Sequence, residues 1–319
     1  MPSAPSPQPT GVDAPFLDTI GARITLAGAD RALLELPYRD GNANRNGALH
    51  GGVVAAVIDV AAAAAADAGL PPARRAGAGT IDFNVHFLAP AVRESVVAEA
   101  TVTRRGRDIG FVEVAVVTGA RTIARGMVAR RAGAGDGGTA HLGARNAGAA
   151  DGDRAARSGV ADRAGAGDPP SPNASLFTLD DAAFVRRNVG SPFTMRLGVA
   201  SAAIAPGHAV ALLPHADAIL DHDRTVHEGA LATLVDCAGG AASWSVDGFD
   251  PSGRAATIGM HLCFAAGTRG ENVAAEAVTA WHGDGVYVSA ITVAGRVSRR
   301  VIASGTVTYR IVRPARTAR

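Results

Sequence analysis

The chain has 319 residues, of which 47% are hydrophobic, and a formal net charge of +2. That length favours two domains over one, and the apolar content is enough for real cores. The near-balanced charge argues against a protein organised around a nucleic-acid footprint. Two cysteines, Cys237 and Cys263, make no disulfide framework, which points to a reducing, cytoplasmic setting.

The chain opens on "MPSAPSPQPTGVDAP", residues 1–15, which has neither a basic start nor an apolar core. It reads as a disordered, proline-rich leader rather than a signal peptide. A first domain is expected over 16–131. It begins with a short helical lead-in, "APFLDTIG", and two strand-like segments, "ARITLAG" and "ALLELPY". A loop then leads into one long apolar helix over 51–68, stopped by Pro71 and Pro72. Four strands follow near 78–88, 94–104, 110–118 and 121–131. Alternation in "SVVAEATVTRR" and "GFVEVAVVTG" marks half-buried antiparallel strands. Spanning a bilayer takes about 18 apolar residues or more. The nearest run, 53–66, is interrupted by Asp59, so no membrane is expected as a partner.

Residues 132–175 are Gly, Ala, Asp and Arg with almost no large apolar side chain, the composition of a flexible linker. A second domain, 176–313, repeats the order of the first. Its lead-in reads as "LDDAAFVRRNVG", its first strands as "GVASAAIA" and "HAVALLP", and its long helix spans about 228–246. "NVAAEAVTAW", "VYVSAITVAG" and "VIASGTVTYRIV" continue it.

The two domains are copies. "LHGGVVAAVIDVAAAAA" has its counterpart in "VHEGALATLVDCAGGAA", with His50 and His227 separated by 177 positions. Asp59 and Asp236, Thr80 and Thr257, Gly21 and Gly198, and Gly106 and Gly283 share that separation. One offset held over so long a stretch indicates a duplicated α+β unit, in which an antiparallel sheet wraps a helix apolar on every side.

A carboxylate inside such a helix needs an explanation. Asp59 lies nine residues after His50, or about 13.5 Å of helical rise, so the two cannot share one reaction centre. A two-fold axis between the long helices removes the difficulty. His50 then faces Asp236, and His227 faces Asp59, giving two composite sites in one intrachain pseudo-dimer. The helix start at Gly51–Gly52 offers unpaired N–H groups and a positive dipole end, which suit a carbonyl oxygen gaining charge. A nearby carboxylate could attack the carbonyl carbon or deprotonate a water. Thr80 and Thr257, opening the next strand, could orient the acids. His50 also fits as a plain helix-start residue, and the glycine pair as an aid to close helix packing.

These residues resemble a known family. "NRNGALHGGVVAAVID" followed by "TIDFNVHFLAPA" is similar to the hotdog-fold acyl-CoA thioesterases of the PaaI-like group, through Asn44, His50, Gly51, Asp59, Thr80 and Pro90. The resemblance extends over roughly 16–131 and, more weakly, 193–312. It implies two tandem hotdog domains and an acid acting as nucleophile or general base. It also implies that the Gly N–H polarises the thioester carbonyl, that Asn positions the water or the acid, and that Ser or Thr orients the acid. Acid and His are implied to come from different subunits.

The copies differ. Asp221 stands at the Asn position and Glu228 at the first Gly position of the second copy. The first composite site, Asn44, His50 and Gly51 with Asp236 and Thr257, keeps every expected group. The second, Asp221, His227 and Glu228 with Asp59 and Thr80, crowds three carboxylates, which raises their pKa values and repels an anionic substrate. The first site is therefore expected to do most of the work. Coenzyme A carries phosphates, and the turn "TRRGRDIG" supplies Arg104, Arg105 and Arg107 as candidate contacts, although a solvated hairpin end explains them equally well. The matching turn, "WHGDG", is acidic.

The nine histidines show no metal-ligand spacing. His208, His215 and His222 read as surface residues, Cys237 as core, and Trp244 and Trp281 as packing residues. The leading expectation is a metal-free thioesterase that hydrolyses an acyl-CoA to acid and free coenzyme A. It needs no cofactor, since coenzyme A belongs to the substrate. An acyl-CoA hydratase or dehydratase and a non-catalytic acyl-CoA sensor are the alternatives. The pseudo-dimer can stand alone or assemble further.

Overall fold

A computed structural model of the chain describes residues 14–28, 30–134, 190–250 and 252–313. The expected leader, up to residue 13, lies outside the described residues, as do most of the expected linker and the segment 176–189.

In the first lobe, helix α1 (Pro15–Ile20) is followed by strands β1 (Arg23–Gly28) and β2 (Arg31–Leu36). The long helix α2 (Gly51–Ala68) comes next, then a single turn, α3 (Pro72–Arg75). Strands β3 (Gly79–Phe87), β4 (Val96–Arg105), β5 (Ile109–Thr118) and β6 (Arg121–Arg131) complete it. The second lobe repeats this with α4 (Pro192–Leu197), β7 (Ala200–Ala205), β8 (His208–Leu213) and α5 (Glu228–Val246). Its last strands are β9 (Arg254–Phe264), β10 (Val273–Gly283), β11 (Val286–Gly295) and β12 (Val301–Val312).

"LDDAAFVRRNVG" falls almost wholly outside the described residues, and the counterpart of Pro15–Ile20 is Pro192–Leu197, again 177 positions on. The shared signal is Pro-Phe at the helix start and, at its end, Gly21 or Gly198 in the left-handed conformation. Proline suits a first helical turn and glycine the left-handed C-cap.

Among the described residues twelve strands form one antiparallel sheet, ordered β1-β2-β4-β5-β6-β3-β9-β12-β11-β10-β8-β7. Each lobe contributes six strands in the same order, and the lobes join edge to edge through β3 and β9. In that seam Asn84 pairs with His261, its own repeat counterpart 177 positions away. The pseudo-two-fold axis therefore passes through this pair. Joining the edges there satisfies both strands' backbone groups and leaves no open edge at the centre of the molecule.

Strand alternation puts Leu34, Leu36, Val96, Ala98, Val112, Val114 and Val116 on the inner face, where they bury against α2. The far side of α2 is covered by α5. Val53–Ala66 is buried throughout, which accounts for a helix with no polar face.

The two long helices cross at their glycines. A Cβ at Gly52 would come within 2.7 Å of the Thr233 Cα, and one at Gly229 within 2.9 Å of the Ala56 Cα. These two contacts are images of each other, since 52 and 229, and 56 and 233, are repeat partners. Backbone here stands where any side chain would go, so the helices cannot close without glycine. Gly52→Ala and Gly229→Ala should each destabilise the protein by about 1–3 kcal/mol in chemical denaturation. Gly28→Ala, whose Cβ would meet nothing within 4 Å, should change it by no more than about 0.5 kcal/mol.

Candidate active site

Both long helices begin the same way. His50 sits at the N-cap of α2 in extended conformation, and its Nδ1 accepts the Gly52 N–H at 3.0 Å. His227 caps α5 likewise, accepting from Gly229 at 2.9 Å. An Nδ1 that accepts carries no proton, so each ring is the neutral tautomer protonated at Nε2. Burial pushes His50 below the ordinary histidine range, partly offset by the charge of Asp236. Burial likewise brings His227 down to about 4. The Val53 and Val54 N–H groups are taken by the His50 carbonyl. Among the described residues, this leaves the Gly51 N–H as the first-turn donor without a protein acceptor.

The helix crossing brings acid to helix start across the lobes. Asp236 Oδ2 lies 3.5 Å from His50 Nδ1, with both side chains nearly buried. A Cβ at Gly51 would stand 3.0 Å from the same oxygen. The other oxygen, Oδ1, accepts the Thr257 hydroxyl. Asp236 thus has one oxygen held by its own lobe and one presented to the opposite helix start. Asn44 Oδ1 accepts the N–H groups of Asn46 and Ala48 and so folds the loop before His50.

Phe193 from α4 packs on His50 with ring centroids 5.6 Å apart, and Phe16 from α1 packs on His227 at 4.7 Å. Each short helix therefore walls the histidine of the other lobe. The sequence reading missed both phenylalanines. The repeated Pro-Phe with its closing Gly was the signal that could have found them.

The second centre has the same plan and different chemistry. Thr80 donates to Asp59 Oδ1 at 2.6 Å. Asp59, His227 and Glu228 bring a ligand-type atom each within 4.8 Å of one another. Glu228 stands at the first helical position of α5, the place that Gly51 holds in α2. Burial, with the charges of Asp59 and Asp221, pushes Glu228 up to about 8. Asp221 is raised to about 7, mainly by burial and by its hydrogen bond with Asp223. A cavity of about 290 Å³ opens on this centre and includes Asp221, His222 and Arg75 in its walls.

Sequence reasoning saw three carboxylates here and missed the cation between them. Arg130 is buried, pairs with Asp67 at 2.8 Å and donates to the Thr80 hydroxyl at 2.9 Å. Its structural counterpart is Tyr309, because Thr80 pairs with Arg130 and Thr257 with Tyr309. The separation there is 179 rather than 177, from two extra residues in the turn before β12.

The arginine turn stands with the second centre. Arg105 donates to the Ala66 carbonyl near the C-terminus of α2 and pairs with Asp30 at 2.7 Å. Ala66 is about 22 Å along the helix from Gly51. The Arg107 carbonyl accepts from Arg74 on α3, whose neighbours Pro72 and Arg75 line the cavity. Arg104 and Arg107 are exposed. Trp244 is fully buried, as expected of a packing residue, but Trp281 is 56% exposed. A bulge between Thr279 and Trp281 shifts the register and turns Trp281 out of the alternation.

A family model for the thioesterase superfamily matches residues 46–124. A candidate esterase of Halobacterium salinarum is 36% identical over 113 residues, covering 34% of this chain and 74% of that protein. The chain belongs to the thioesterase superfamily. Acyl-coenzyme A thioesterase 13 of Mus musculus is 26% identical over 103 residues, 31% of this chain and 71% of that protein. In fold, this superfamily member is similar along its whole length to an acyl-CoA thioesterase II of Mycobacterium marinum. The TM-score is 0.59 at 14% identity, covering 94% of this chain and 99% of that one. A hot dog fold protein of Alicyclobacillus acidocaldarius gives 0.60 at 16%, covering 94% and 98%. The architecture is two tandem hotdog domains paired as a pseudo-dimer.

Glu228 gives this centre a pH signature. Its folded pKa lies above the unfolded value, so its contribution to stability is complete below about 4.5 and is lost as pH rises towards about 8. Glu228→Gln removes that titration. In thermal melts the variant should match the parent near pH 4 and exceed it by several degrees at pH 8 and above.

Proposed function

We propose that the protein hydrolyses an acyl-CoA thioester at the first composite centre. The observation that carries this reading is Asp236 Oδ2 beside the free Gly51 N–H, brought there from opposite lobes. The thioester carbonyl oxygen accepts from Gly51, whose helix start favours the charge that develops as the carbonyl carbon becomes tetrahedral. Asp236 Oδ2 delivers the nucleophile, attacking the carbon directly or through a water that it deprotonates. Thr257 holds the other oxygen and so fixes which one reacts. His50 secures the Gly52 N–H and the helix entrance, and Phe193 backs its ring. Coenzyme A then leaves as the thiol. No cofactor takes part, and the substrate class is that of the mouse and mycobacterial relatives.

The second centre contributes little to turnover. The Glu228 side chain stands at the helix start, where Gly51 leaves room for a carbonyl in the first centre. The two centres can be separated in a thiol-release assay over short, long and aromatic acyl-CoAs. Asp236→Asn should lower kcat/KM by about 10²–10⁴-fold, the usual worth of such a group. Asp59→Asn should leave it within a few-fold of the parent. The reverse ranking, or product from enoyl-CoA that retains the thioester, would overturn the assignment.

A further inference from the structure

We infer that the outer face of the seam between the lobes holds a zinc-class divalent metal on Asp82, His261 and Cys263. His261 and Cys263 are two apart on β9 and so project from the same face, while Asp82 on β3 is the direct cross-strand partner of Cys263. Asp82 Oδ2 lies 2.7 Å from His261 Nε2 and 3.3 Å from Cys263 Sγ, and Sγ is 3.9 Å from Nε2. Zinc bonds of about 2.0–2.1 Å to nitrogen and oxygen and about 2.3 Å to sulfur, at tetrahedral angles, set such donors roughly 3.3–3.6 Å apart. The observed separations bracket that spacing, so a small opening of the Asp82–His261 contact admits the ion.

Two features favour a metal over other uses of the trio. A nucleophilic Cys-His-Asp relay needs the imidazole to use both nitrogens, one for the thiol and one for the acid. Here thiol and acid meet the same Nε2. The mixture of thiolate, imidazole and carboxylate suits zinc and related ions rather than magnesium or calcium, which take oxygen ligands. The cluster is also not a by-product of duplication. The repeat counterparts of Asp82, His261 and Cys263 are Gly259, Asn84 and His86. Both lobes contribute, so the ion ties β3 to β9. Binding releases the Cys263 thiol proton to solvent as the S–metal bond forms.

The full-length protein, purified without an affinity tag, is titrated with Co²⁺ and then with Zn²⁺. One equivalent of Co²⁺ should produce a near-ultraviolet sulfur-to-metal absorption that Zn²⁺ abolishes, and Zn²⁺ should raise Tm. Cys263→Ser should remove the absorption. It and His261→Ala should each weaken Zn²⁺ binding more than about tenfold and abolish the rise in Tm. Circular dichroism of the two variants checks that they fold. Failure of the parent to bind micromolar Zn²⁺, or unchanged binding in both variants, would overturn the proposal. So would binding lost in Glu228→Gln but kept in Cys263→Ser, which would move the ion to the other cluster. None of these readouts depends on thioester turnover.

Discussion

The contact on which the rest of the molecule depends is the crossing of α2 and α5 at Gly52 and Gly229. Helices that touch backbone to backbone can bring the middle of one to the beginning of the other, and only the missing Cβ atoms permit it. From that approach come the burial of two helices with no polar face and the meeting of Asp236 with Gly51. The histidines belong to the same arrangement. Each ties down one N–H of a first turn, and at His50 the neighbouring Gly51 N–H is left facing the acid across the interface.

Much of this was written in the sequence. The constant separation of 177 reveals the duplication, and the length of helix between His50 and Asp59 requires pairing between the copies. The bounds of both long helices were also readable, because apolar runs with sharp stops leave little freedom. What stayed hidden had physical causes. Arg130 and Tyr309 are not aligned by the repeat, since two extra residues in one turn shift the register after it. The role of Phe16 and Phe193 depends on a six-residue helix reaching over the other lobe, which local pattern does not report. Trp281 was misplaced because a bulge reverses facing without any mark in composition. The arginine turn could be recognised as basic, but only the fold tells which end of α2 it caps.

The two centres share a scaffold and differ in electrostatics. In one, a single carboxylate faces an open N–H. In the other, a second acid stands at the helix start, and a buried guanidinium sits beneath the first acid, bound to Asp67 and Thr80. The fold tolerates this because the helix crossing, the caps and the threonine-acid bonds are common to both. A pair of identical subunits could not diverge in this way, since every substitution would be made in both places. Fusion into one chain allows one centre to keep its chemistry while the other explores.

The joined sheet has a further consequence for how such a protein behaves at low abundance. A centre assembled from two separate polypeptides falls apart when those polypeptides are scarce, and its output drops faster than the amount of protein. Here acid and helix start travel together on one polypeptide, so their encounter is intramolecular and the local concentration of each for the other is set by the chain itself. The meeting of Asp236 with the start of α2 is then independent of dilution.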